Sequence, residues 1–117
     1  MQSKFRLTRS EDFKRVRRIG KSYAHPLVVL VAQANETSTY QVRVGVAAGK
    51  MIGTAVHRNR AKRLLREALR PYLATLTSGW DLILIARPKL VTATLEDIRV
   101  AVLTLLRRAK IFPADES

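Results

Sequence analysis

Apolar and polar positions alternate along "TYQVRVGVAA" (39–48), with Val42, Val44 and Val46 on one face and Arg43, Gly45 and Ala47 on the other. A period of two predicts a strand with one side on a core and the other open to solvent or ligand. "LVVLVAQA" (27–34) is apolar throughout and rich in β-branched residues, as a buried strand would be. With only the polar "NETS" between them, these two strands are expected to pair as an antiparallel hairpin. Lys21–His25, before Pro26, offers a further short strand. "LILIA" (82–86), set between the turn "SGWD" and Pro88, predicts another buried strand.

Three segments carry a helical period instead. In "LTRSEDFKRVRRIG", Thr8 or Ser10 can cap a helix whose first turn holds Glu11 and Asp12, and Gly20 can stop it. Phe13 and Val16 form its narrow apolar stripe. After the small-residue turn "GKMIG", Ala61, Leu64, Leu65, Ala68 and Tyr72 recur on one helix face. Asn59, Arg63, Arg66 and Arg70 stand opposite them, and Pro71 should end or bend this helix. "TLEDIRVAVLTLLRRAK" predicts an amphipathic helix with Thr94 as cap, Asp97 completing a capping box, and cations at its negative end. The order is α, two or three strands, α, β, α. Neither a repeat nor a linker interrupts it, so residues 1–117 are expected to form one domain with one core, and residues 113–117 a tail.

Charge alters this picture more than any element does. Lys and Arg number 22 against 9 Asp and Glu, a net +13, which implies a polyanionic partner and most often a nucleic acid. The excess concentrates in "HRNRAKRLLREALR" (57–70), where Glu67 is the one carboxylate. Like charges four residues apart on a helix repel by a few tenths of a kcal/mol, roughly. Such a row costs stability until an anion neutralises it, and Glu67 can relieve only Arg63 or Arg70. An anionic membrane surface is a poorer fit, because no segment has the aromatic-and-basic amphipathic pattern for it. There is no Cys and only two His, so a disulfide framework and a conventional zinc site are not expected. The basic start lacks a signal-length apolar stretch, and the apolar runs are too short to span a bilayer. A cytoplasmic location is expected.

"GKMIGTAVHRNRAKRLLREALR" (49–70) resembles the signature of the bacterial ribonuclease P protein family, with its run Arg58-Asn59-Arg60 followed by cations and "RE". "RLTRSEDFKRVRRIGKS", "VRVGVAAGKMIG" and "DLILIARP" are similar to that family's first helix, its strand and turn before the signature, and its last strand. The resemblance implies a single α/β (α+β) domain like the second domain of ribosomal protein S5. Its mixed four-stranded sheet would contain a left-handed βαβ crossover, against the usual right-handed rule. It also implies partners: the catalytic RNA of ribonuclease P, which holds the divalent ions, usually Mg²⁺, and precursor tRNA, whose 5′ leader is removed. No obligate protein partner is implied.

Carried over by position, Arg58, Asn59, Arg60, Lys62, Arg63 and Arg66 would face RNA, with Arg70 continuing the row and Lys50 reaching phosphate from the preceding turn. Guanidinium forks suit phosphate oxygens, and Asn serves as donor or acceptor to sugar or base. Phe13 would lie in the leader cleft between the first helix and the open sheet face, where an aromatic can stack on an unpaired base. Arg17 and Val31 occupy two further leader-contact positions at which the family commonly has aromatics, so charge would weigh more here than stacking.

Residue chemistry leaves other readings open. A self-sufficient nuclease needs an acid–base pair or carboxylate-held metals. His25 and His57 are candidates by type alone, and Glu11, Asp12, Glu96 and Asp97 fall at helix starts. A non-catalytic RNA-binding module of ribosomal-protein type would share the composition and the basic helix. Phe13 stands between core and stacking roles, Trp80 and Tyr72 read as core, and Tyr23 and Tyr40 are undetermined.

Overall fold

Helix α1 (Ser10–Ile19) precedes strands β1 (Lys21–Ala24), β2 (Val28–Ala34) and β3 (Arg43–Ala48), helix α2 (Ala55–Leu69), strand β4 (Trp80–Ala86) and helix α3 (Leu95–Arg108). Short 3₁₀ turns fill Lys50–Ile52, Arg70–Thr75 and Pro88–Thr92. The structure is a computed structural model and describes residues 6–7, 9–35, 42–76 and 79–111. Thr8, Tyr40, most of the "NETS" loop and the expected tail at 113–117 lie outside the described residues.

The strands form one mixed sheet in the order β1-β2-β4-β3. β2 pairs antiparallel with both β1 and β4, while β3 runs parallel to β4. The expected hairpin between 27–34 and 39–48 is therefore not formed, because β4 lies between those strands. The reason is physical. "WDLILIA" is buried along nearly its whole length and needs a partner on each side and a cover on each face. β3, which alternates and carries Arg43, tolerates the sheet edge. β2 pairs instead with β1 across the turn at His25–Leu27, where His25 N donates to Val28 O at 2.9 Å. β3–α2–β4 is the βαβ unit of the sheet.

Two apolar clusters replace the single core expected. α2 and α3 cover one sheet face, with Leu65, Leu69, Ile98, Leu105 and Leu106 packed on Leu30, Val44, Leu82 and Leu84. Trp80 and Tyr72 are partly buried and pack against this cluster. α1 crosses the other face over a smaller set, Leu7, Val16, Val31 and Ile83, with Phe13, Val29 and Ile85 partly buried beside it. Glycines permit the close approach at both ends of α1. Gly45 of β3 lies under the Phe13 ring, and a Cβ at Gly20 would fall 2.8 Å from Val31 Cγ1.

Helix termini follow local chemistry with one exception. The cap of α1 is Arg9, which makes no side-chain capping bond, and Ser10 is already helical. Thr54 caps α2, accepting from His57 N at 3.4 Å, and Pro71 sits in the 3₁₀ turn that follows the helix. At α3 the box forms as expected: Asp97 N donates to Thr94 Oγ1 at 3.1 Å, and Thr94 N donates to Asp97 Oδ2 at 3.4 Å.

Candidate nucleic-acid interface

Ala61, Leu65, Ala68 and Leu69 bury one side of α2, which fixes its axis and rotation against the sheet. The cations then fall into two rows. Arg58, Lys62 and Arg66, spaced by four, are half-buried, whereas Asn59, Arg60, Arg63 and Arg70 stand exposed. Two of the cations have protein partners. Arg70 Nη2 lies 3.0 Å from Glu67 Oε2, and Arg60 Nη1 donates weakly to Val91 O at 3.5 Å. Lys50 is exposed in the turn before the helix, between the β3 end and Thr54.

Lys62 and Arg66 share a cleft with Phe13. The cleft holds about 210 Å³ and is lined by Arg6, Leu7, Phe13, Gly45, Lys62 and Arg66 among others. It opens at the outer edge of β3, with α1 on one side and α2 on the other, so the basic helix and the aromatic border a single space. Arg6, which the motif did not single out, is held there because Leu7 N donates to Val44 O at 2.9 Å. Burial lowers the pKa of Arg66, and the neighbouring Arg6 cation lowers it further. Three cations, Arg6, Lys62 and Arg66, line one cleft with no carboxylate among its described lining residues, which favours an anionic occupant.

Of the leader positions, Phe13 is half-buried with its ring on Gly45, and Arg17 is exposed on α1. Val31 must be corrected. It is 4 % exposed, packed in the smaller cluster beneath α1, and offers no surface to a nucleotide.

A carboxylate that the sequence hid in a turn dominates the middle of α1. Asp81, at the start of β4, is fully buried. It accepts four hydrogen bonds: from Arg15 Nη2 at 2.8 Å, Arg43 Nε at 3.0 Å, Arg43 Nη2 at 2.9 Å and Asn35 Nδ2 at 3.0 Å. Arg15 also donates to Gln33 Oε1 at 2.7 Å and to Asp12 Oδ1 at 3.0 Å, and Asp12 Oδ2 lies 3.6 Å from Arg43. Burial alone would raise the Asp81 pKa, but the hydrogen bonds from Arg43 and Arg15 outweigh it and hold the carboxyl below its ordinary value. The same bonds to Asp81 raise both arginines despite their own burial. Two guanidiniums and two carboxylates cancel here, so Arg15 and Arg43 add little to the cationic surface.

Thr54 Oγ1 lies 2.9 Å from His57 Nδ1, while His25 Nδ1 accepts from Leu27 N at 3.1 Å. Each histidine thus engages a local partner rather than a carboxylate. Among the described residues no three His, Asp or Glu come together as a metal site. Asp12 and Asp81 are occupied by guanidinium groups, so this donor set does not fit Mg²⁺. Among the same residues no helix is long and apolar enough to cross a membrane.

The family model described as Ribonuclease P matches residues 1–110. The chain belongs to the ribonuclease P protein family. Its relatives named "Ribonuclease P protein component" include one from Herpetosiphon aurantiacus, 44% identical over 113 residues and covering 96% of this chain and 89% of the relative. One from Clostridium novyi is 35% identical over 112 residues, covering 96% and 99%. The solved structure of Staphylococcus aureus RNase P protein matches with a TM-score of 0.82 at 29% identity, over 93% of this chain and 98% of that one. RNase P protein from Thermotoga maritima gives 0.76 at 29% identity, over 88% and 96%. Family membership separates this chain from ribosomal proteins of similar composition, and the mixed four-stranded sheet agrees with the fold that the resemblance implied.

Proposed function

We propose that this chain is the protein subunit of ribonuclease P, serving an RNA catalyst that removes the 5′ leader of precursor tRNA. It docks on that RNA through the exposed cations of α2 and receives the leader in the cleft beside Phe13. The observation that carries this reading is the shared cleft, which Lys62 and Arg66 of the signature helix line together with Phe13 and Gly45. Phosphates would meet the guanidinium and ammonium groups, and an unpaired base would meet the ring. Lys50, Arg58, Asn59, Arg60, Arg63 and Arg70 extend the same surface towards the ribozyme, and Arg17 adds charge on the leader side. The divalent ions, Mg²⁺ by family resemblance, are held mainly by the RNA; Asp12 and Asp81, engaged by arginines, are consistent with that. The protein is the accessory subunit of a ribonucleoprotein endoribonuclease whose chemistry is carried by the RNA.

The test is reconstitution. Mixed with a bacterial ribonuclease P RNA and precursor tRNA at low Mg²⁺, the protein should accelerate leader removal well above the RNA alone. No acceleration would sink the proposal. Cleavage with the RNA omitted would restore a protein nuclease.

A further inference from the structure

We propose that Asp81 is a positioning residue for leader binding: it latches α1 across the sheet through Arg15 and thereby seats the Phe13 ring over Gly45 at the cleft. The inference rests on the cleft reading above and adds the part that keeps the cleft in shape.

α1 needs such a device. Ten residues are too few to form a stable helix alone, and only Val16 of this helix is fully buried. Its apolar seat is therefore small, and the fixed contacts are polar. Arg15 lies two residues beyond Phe13 and reaches Asp81 of β4 and Gln33 of β2 with separate nitrogens, 2.8 and 2.7 Å away. Arg43 of β3 grips both oxygens of the same carboxylate. Asp81 thus joins α1 to β4 and β3 at one point, in the same register row as Arg43 and Gln33. Gly45 stands two residues after Arg43 on β3 and lies under the ring. One rigid path runs from the carboxylate to both halves of the Phe13 contact. Without the carboxylate, Asp12 alone would stand against the two guanidiniums, and their repulsion would loosen α1 on the sheet.

The experiment uses reconstituted holoenzyme and compares precursor tRNA with mature tRNA, which lacks the leader. Arg15→Met removes the latch from α1 while Arg43 and Asn35 still satisfy Asp81, so it keeps the test valid where Asp81→Asn fails to fold. Arg15→Met is expected to weaken precursor tRNA binding about tenfold, within the range of one lost base stack. Mature tRNA binding and protein affinity for the catalytic RNA should stay within about twofold. Because the latch acts through the ring, Arg15→Met in a Phe13→Ala background should add no more than about twofold. Additive losses, or equal losses for both tRNAs, would overturn the latch as a positioning device. If Phe13→Ala loses precursor binding and Arg15→Met does not, the latch fails while the cleft reading stands. If Phe13→Ala changes nothing, the cleft reading falls and takes the latch with it.

Discussion

One carboxylate, Asp81, satisfies three side chains from three other segments, and it does so from a position with no solvent access. Its folded pKa is depressed, so the stability it contributes is fully present above the unfolded value, near about 3.9, and lost as pH falls through the folded value. Urea midpoints should therefore be insensitive to this group between pH 5 and 7 (ordinary working conditions, roughly one to three units above an unfolded aspartate) and should fall below about pH 4. Asp81→Asn should cost about 2–4 kcal/mol at pH 7, because the arginines keep their charge and lose the buried one of their two carboxylate partners. The acid-induced loss should shrink in that variant; an unchanged acid slope would locate the sensitivity elsewhere. Val31 supplies the contrast. Val31→Ala should lower stability by about 1–3 kcal/mol through lost apolar contact, yet leave the preference for precursor over mature tRNA intact. A lost preference with unchanged urea midpoint would return Val31 to the leader surface.

At the level of elements, α2 and α1 use their cations differently. Arg63 and Arg66 of α2 have no carboxylate within ion-pair distance among the described residues, whereas Arg15 of α1 is tied to Asp12 and Asp81. Arg60→Ala with Arg63→Ala, both on the exposed side of α2, should weaken binding to the catalytic RNA and reduce the slope of log K against log salt by about 2, one per phosphate contact. Arg15→Met should leave that slope unchanged. Titration of filter-binding or fluorescence affinities against KCl separates the cases, and an unaltered slope in the double variant would move the docking face away from α2.

The helices were legible in sequence because their signals are local. Thr94 and Asp97 are three residues apart, and the Ala61–Leu65–Ala68 stripe lies within two turns. The strand partners were not. β2 is apolar on both faces, so its period cannot say which side holds Val31, and a short polar loop suggests a hairpin that β4 pre-empts. Asp81 looked like part of a turn because its partners Arg43 and Arg15 are 38 and 66 residues away. Arg6 carries no periodic signal, and only its pairing with β3 brings it to the cleft.

Across the whole molecule, apolar clusters on both sides of one sheet hold together a chain of net charge +13. Self-repulsion of that size opposes compaction, and salt screens it at about 8 Å near physiological ionic strength. The free protein should therefore melt higher in 300 mM than in 10 mM NaCl, by about 3–6 °C. Differential scanning fluorimetry measures this directly. A melting point that falls with salt would mean that ion pairs such as those of Asp81 outweigh the general repulsion.

The placement of β4 between β2 and β3 also sets the timetable of biosynthesis. A ribosome finishes three of the four strands and the signature helix before it makes Trp80–Ala86, the strand that joins the earlier ones. Until then β2 and β3 have unfilled edges, and Arg15 and Arg43 lack Asp81. A fragment ending at residue 78 should show neither cooperative unfolding nor protected amides, and the nascent chain should stay protease-sensitive until β4 has cleared the exit tunnel.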